Sequence, residues 1–174
     1  MLLTYLLDTS VFSALTSLHG PLPLALLAWC EANIDRCYIS AISLHELEFG
    51  LRRLALRKSA EDRIRAGKLR IFHQLLFLKL SDRIVPVDNA ILLHSSHLRA
   101  IAERTCGDIG FCDAVIAASA DLGNHVVVTF NTRHFMATGV QTLDGRVLTM
   151  PQAKEYEDTR VIPKAERVPS GMMH

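Results

Sequence analysis

Residues 111–131 read FCDAVIAASADLGNHVVVTFN, and this stretch decides the fold class. Residues 111–123 are mostly small and apolar, so they predict a tightly packed helix closed by Gly123. Val126-Val127-Val128-Thr129-Phe130 follows as an uninterrupted apolar run, the pattern of a strand buried on both faces, and it ends at Asn131.

The same alternation continues towards the amino end. Leu2, Leu3, Leu6 and Leu7 predict a short buried strand that meets Asp8, and Thr9 and Ser10 offer capping hydroxyls for a helix through Leu18 that His19-Gly20-Pro21 ends. Residues 22–34 predict a second helix, and Cys37-Tyr38-Ile39-Ser40 the next strand. Ser43 and Glu46 have the spacing of a capping box opening a helix whose apolar positions are Leu44, Leu47, Leu51 and Leu54, with Gly50 as a weak point inside it. A further helix over about 60–80 would complete an αα-hairpin. Ile84-Val85-Pro86-Val87 is a short strand, Asp88 caps a helix through Ile101, and Gly107-Asp108-Ile109-Gly110 is the loop before the opening stretch. Strands alternating with helices predict an α/β sandwich around a mostly parallel sheet.

At 174 residues and 49% hydrophobic composition, the chain can bury one core. One domain is expected over 1–150, followed by a polar, Pro-containing tail over 151–174. The start lacks a basic segment and reaches Asp8 too soon for a secretory leader or a membrane span, so a cytoplasmic, non-membrane protein is expected. Cys30, Cys37, Cys106 and Cys112 form no C-x-x-C pair, which argues against structural zinc and a disulfide framework and for buried free thiols.

Net charge is only +1, but residues 52–79 hold nine Lys or Arg against two acids. That segment carries +7 and leaves −6 on the remainder. Such a block, with Arg52, Arg53, Arg57 and Lys58 at its start, either follows a phosphate backbone or is a solvated helix face.

In an open α/β sheet the ligand crevice lies beyond the carboxyl ends of the strands. Asp8, Glu46, Asp113 and Asn131 are the polar candidates at that rim. Three crowded carboxylates repel unless a divalent cation neutralises them, and oxygen ligands with water and substrate phosphate suit Mg²⁺. That chemistry supports phosphodiester hydrolysis by a metal-activated water. Each acid also has a bland reading as a cap or helix-dipole partner, and for Asp8 the two readings are balanced.

The blocks LLDTSVF, SLHELEFG, GFCDAVIAASADLG and VVVTFNTRHF, in this order over roughly residues 1–150, resemble the PIN-domain toxins of the VapC type. The resemblance implies a PIN-like α/β/α sandwich, Mg²⁺- or Mn²⁺-dependent RNA cleavage, a homodimer, and inhibition by a cognate VapB-type antitoxin. By position it places metal-binding and catalytic acids on Asp8, Glu46 and Asp113, and a supporting hydroxyl on Ser10. Where many relatives have a fourth acid, this chain has Asn131, with His134 three residues on. Asn131 can bind through its amide oxygen but adds no charge, which favours one metal over two. Thr129 is a supporting or core residue, and His134 a supporting, capping or packing one. Asp121 is read as a surface residue and Cys112 as inert.

A hydrophobic strand ending in Asp also begins the haloacid-dehalogenase phosphatases, but those need a second Asp where this chain has Ser10. A module that binds RNA or antitoxin without cutting is the other alternative.

Overall fold

The computed structural model describes residues 2–15 and 22–149. The end of the first predicted helix at 19–21 and the tail over 151–174 lie outside these residues, as does the domain boundary at 150. The elements are β1 (Tyr5–Leu7), α1 (Thr9–Leu15), α2 (Leu22–Ala32), β2 (Cys37–Ser40), α3 (Ala41–Ala55) and α4 (Ala60–Lys79), then β3 (Ile84–Val85), α5 (Asn89–Cys106), α6 (Phe111–Gly123), β4 (Val126–Thr129), α7 (Thr132–Ala137) and β5 (Thr142–Asp144).

All five strands are parallel, in the order β3-β2-β1-β4-β5. The chain steps outward from β1 to β2 and β3, then returns to lay β4 and β5 on the other side. The order therefore reverses between β1 and β4, where Leu7 is in register with Val128 and the Asp8 amide donates to the Val128 carbonyl at 3.0 Å. A crevice at the carboxyl ends of these two strands is where open parallel sheets bind ligands.

The apolar runs in β1 and β4 follow from burial on both faces. Tyr5, Leu7, Val126 and Val128 pack with Phe12, Trp29, Leu47 and Leu80 on one side of the sheet. On the other, Leu6 and Val127 meet Val115, Ile116, Ala117 and Leu98 from α6 and α5. The small residues of α6 let it approach the sheet closely, and Ala114 through Ala120 are all buried.

Helices α3 and α4 form the expected hairpin, with Leu47 and Leu51 buried. Asp88 caps α5, accepting from the Ile91 amide at 2.9 Å. The four cysteines are free, Cys30 and Cys37 buried and Cys106 and Cys112 half-buried.

Three local expectations need correction. Helix α3 opens at Ala41, straight from β2 and without a loop, so Ser43 lies inside its first turn and Glu46 in its second rather than at a capping box. The Ser43 hydroxyl is buried without a hydrogen-bond partner among the described residues. Gly123 is the last residue of α6 rather than its cap; Asn124, at φ 53°, takes the left-handed position because a short polar side chain tolerates it. Helix α7 and strand β5 are additional to the predicted elements, and β5 widens the sheet beyond β4.

Candidate active site

Asp8 is carried just beyond β1, and its carboxyl group sinks into the switch point until only 3% of the residue is exposed. Ser10 Oγ donates to Asp8 Oδ2 at 2.6 Å, and Thr129 Oγ1 donates to the same oxygen at 2.7 Å. Each hydroxyl also accepts a backbone N–H: Phe130 N to Ser10 Oγ at 3.1 Å, and Asn131 N to Thr129 Oγ1 at 2.9 Å. A buried carboxylate needs such donors, and these two also tie the end of β1 to the end of β4. Ser10 and Thr129 thus stand against Asp8, and Thr129 is also fully buried, as its alternative core reading expected.

Asp113 stands in the first turn of α6, yet the N-cap of that helix is Gly110. The Asp113 carboxyl turns instead to α7. Its Oδ2 lies 2.7 Å from His134 Nδ1 and 3.1 Å from Asn131 Nδ2, and those two nitrogens are 2.6 Å apart. Burial raises the Asp113 carboxyl above its ordinary value, opposed by the His134 contact and reinforced by the charges of Asp8 and Glu46. Asn131 links the two groups, since its amide N–H meets Thr129 and its side chain meets Asp113.

Glu46 approaches from α3. Thr9 Oγ1 donates to its Oε2 at 2.6 Å, bridging 37 positions of sequence. Cys112 lies beside it; burial, then the charge and hydrogen bonding of Glu46, push that thiol up to about 11. The thiol therefore stays protonated at neutral pH, consistent with an inert cysteine. Sequence reasoning took Thr9 only as a cap, and its role at Glu46 leaves no local signal.

The charges of Asp8 and Glu46 reach Asp113, and each of the three carboxyl groups has a protein donor. Among the described residues, no group of three His, Cys, Asp or Glu side chains is placed to hold a metal ion by itself. The donor set is carboxylate, amide and hydroxyl oxygen, the chemistry of a hard divalent cation, and burial with mutual repulsion gives such a cation something to relieve. By donor chemistry the residues fit Mg²⁺ or Mn²⁺.

The basic residues are elsewhere. Arg52 pairs with Glu48 at 2.7 Å, Arg53 lies over the Phe49 ring at 5.7 Å, and Arg57 meets Asp62 at 3.8 Å. With Lys58 they form an exposed stretch at the end of α3 and the turn after it. Asp121 departs from its surface reading: its side chain is 4% exposed and its Oδ2 is 2.7 Å from His94 Nε2, joining α6 to α5.

Comparison with known proteins bears on the family and the fold. The PIN domain family model matches residues 5–139. The VapC ribonuclease Y4jK of Sinorhizobium fredii is 33% identical over 144 residues, covering 79% of this chain and 94% of the relative. The crystal structure of FitAcB from Neisseria gonorrhoeae matches with a TM-score of 0.68 at 25% identity, over 82% of this chain and 99% of that one. DNA-bound VapBC from Salmonella typhimurium matches with a TM-score of 0.66 at 25% identity, over 83% and 99%.

Proposed function

Since the chain belongs to the PIN-domain family, of VapC type, we propose that it is a divalent-metal-dependent ribonuclease acting as the toxin of a toxin–antitoxin pair. The observation that carries this reading is the half-buried Asp113 carboxyl, held by Asn131 and His134 and within electrostatic reach of Asp8 and Glu46. Asp8, Glu46 and Asp113 would hold Mg²⁺ or Mn²⁺, with Asn131 contributing through its amide oxygen. When bound, such an ion lowers the pKa of a water to supply the nucleophile and offsets charge on the scissile phosphate.

The chain's own residues prepare this chemistry. Ser10 and Thr129 donate to Asp8 Oδ2 and so fix the orientation of that buried carboxyl group. Thr9 orients Glu46, while Asn131 and His134 orient Asp113. The basic stretch from Arg52 to Lys58 guides RNA towards the rim by charge neutralisation.

The partners follow from the same reading. The neighbours include VapBC and FitAcB, and a VapB-type antitoxin would cover the apolar helical hairpin, which leaves Ile64, Ile71, Leu75 and Leu78 exposed. A homodimer in the cytoplasm completes the proposal. None of the described helices is long and apolar enough to cross a membrane.

The neutral Asn131 and the protein donors on each carboxylate favour a second reading, a PIN module that binds RNA or antitoxin without cutting. Incubating the chain with structured RNA in Mg²⁺ separates the two. Cleavage that a chelator stops and Asp113→Asn abolishes supports the nuclease. RNA that stays intact while binding to the chain supports the second reading.

A further inference from the structure

The first N–H groups of a helix ordinarily claim a nearby side-chain oxygen. The N-cap of helix α6 is Gly110, which has no side chain to offer, and its first-turn acid Asp113 faces Asn131 and His134. The acceptor comes from the loop instead. Asp108 Oδ1 accepts from the Gly110 amide at 2.9 Å. Arg99 of α5 grips both oxygens of that carboxylate, Nε to Oδ1 at 2.7 Å and Nη2 to Oδ2 at 2.6 Å. This fork is the strong, direction-setting form of an Arg–carboxylate pair. Arg99, then the Gly110 amide, hold the Asp108 carboxyl down at about 2, so it is ionised across the neutral range.

The path of the loop is narrow. Gly107 (φ 86°, ψ −173°) and Gly110 (φ 80°, ψ 161°) both occupy a region that residues with a Cβ avoid. Between them Ile109 is buried against Ala102 and Ala114. Arg133 of α7, the neighbour of His134, donates to the Cys106 carbonyl at 3.3 Å. The loop is therefore held from α5, α6 and α7 together, the elements on which Asp113 and His134 depend for their placement.

We propose that Arg99 and Asp108 are positioning residues: their fork fixes the entry of α6, satisfies its first amide from outside, and leaves Asp113 to face Asn131, His134 and a divalent cation. This rests on the metal-dependent reading above. An exposed ion pair contributes little to global stability, so its loss shows in placement rather than in unfolding.

The test uses the full chain with Asp108→Ala, Asp108→Asn and Arg99→Lys, reading Mn²⁺ affinity by calorimetry, the His134 imidazole resonances by NMR, and Tm. The two Asp108 variants remove the same charge, but only alanine removes the acceptor for Gly110; Arg99→Lys keeps the charge and loses the fork. Relative to Asp108→Asn, Asp108→Ala should bind Mn²⁺ about 10- to 100-fold more weakly, as for other residues that orient ligands. It should also displace the His134 resonances at nearly constant Tm. Arg99→Lys should displace them from wild type in the same sense. The proposal is overturned if Asp108→Ala matches Asp108→Asn and Arg99→Lys matches wild type, or if only Tm falls. Should Asp108→Ala not fold, Arg99→Lys decides by the same readouts. If wild type binds no Mn²⁺, or Asp113→Asn binds it equally well, the metal reading fails. The His134 resonances then judge the clamp alone, a displaced ring supporting it and an undisplaced one ending it.

Discussion

At the scale of single residues, the candidate site is one carboxylate made comfortable and another left strained. Asp8 Oδ2 accepts hydrogen bonds from two hydroxyls, whereas Asp113 has its carboxyl raised by burial. An acid whose folded-state value is raised destabilises the fold where it is ionised, and that effect vanishes as pH falls below the ordinary value of 3.8. Asp113→Asn keeps an acceptor oxygen and removes the charge. Thermal melts in a chelator should show the variant more stable than wild type at neutral pH, with the gap closing as pH falls through the raised value towards 3.8. A variant that melts earlier at neutral pH would mean that the charge is not a burden. This is the usual cost of a preorganised site, where function and stability pull apart. Asp8, Glu46 and Asp113 could be nominated from the sequence because strand ends and early helix turns advertise themselves along the chain. Thr9 at Glu46 and His94 at Asp121 could not, because those contacts join residues 37 and 27 positions apart that no local pattern couples.

At the scale of elements, two glycines in helices have opposite meanings. Gly50 lies in an exposed stretch of α3, and a Cβ there would meet nothing within 4 Å. Gly50→Ala should therefore stabilise by about 0.5–1 kcal/mol, the usual gain in a helix interior. Gly123 ends α6, and a Cβ there would come within 2.5 Å of the His125 ring. That ring cannot swing away cheaply, since its Nδ1 is 2.7 Å from Thr4 Oγ1 and it packs on Tyr38 at 4.4 Å. Gly123→Ala should cost about 1–3 kcal/mol, the range for overpacking. Urea titration of both variants checks the pair; equal shifts of the same sign would contradict the geometry. Periodicity made the hairpin, α5 and α6 readable, because each is long enough for several turns of its apolar face to recur. It failed where elements are short or abut. Strand β5 has three residues, and the junction at Ser40 and Ala41 has no loop to mark where α3 begins, which displaced the apparent capping box.

At the scale of the molecule, parallel pairing, the reversal between β1 and β4, and the segregation of charge bring an acidic rim and a basic hairpin into one fold. The adjacency of the β1 and β4 ends is an outcome of topology, and the alternation of strands and helices sufficed to foresee the parallel sheet that creates it. The share of the basic block that is free for RNA was beyond reach, because Arg52 and Arg57 turn out to face Glu48 and Asp62. Neutralising Arg52, Arg53, Arg57 and Lys58 together should weaken RNA binding and flatten the dependence of log K on log salt, measured by titration at several salt concentrations. An unchanged slope would assign the block to solvent or to a protein partner. The central claim is that three acids, remote in sequence, act as one cation site. Electron paramagnetic resonance of Mn²⁺ titrated into wild type, Asp8→Asn, Glu46→Gln and Asp113→Asn tests it most directly. Saturable binding to wild type that each of the three variants weakens is the expected result; variants that take up Mn²⁺ as wild type does would contradict it.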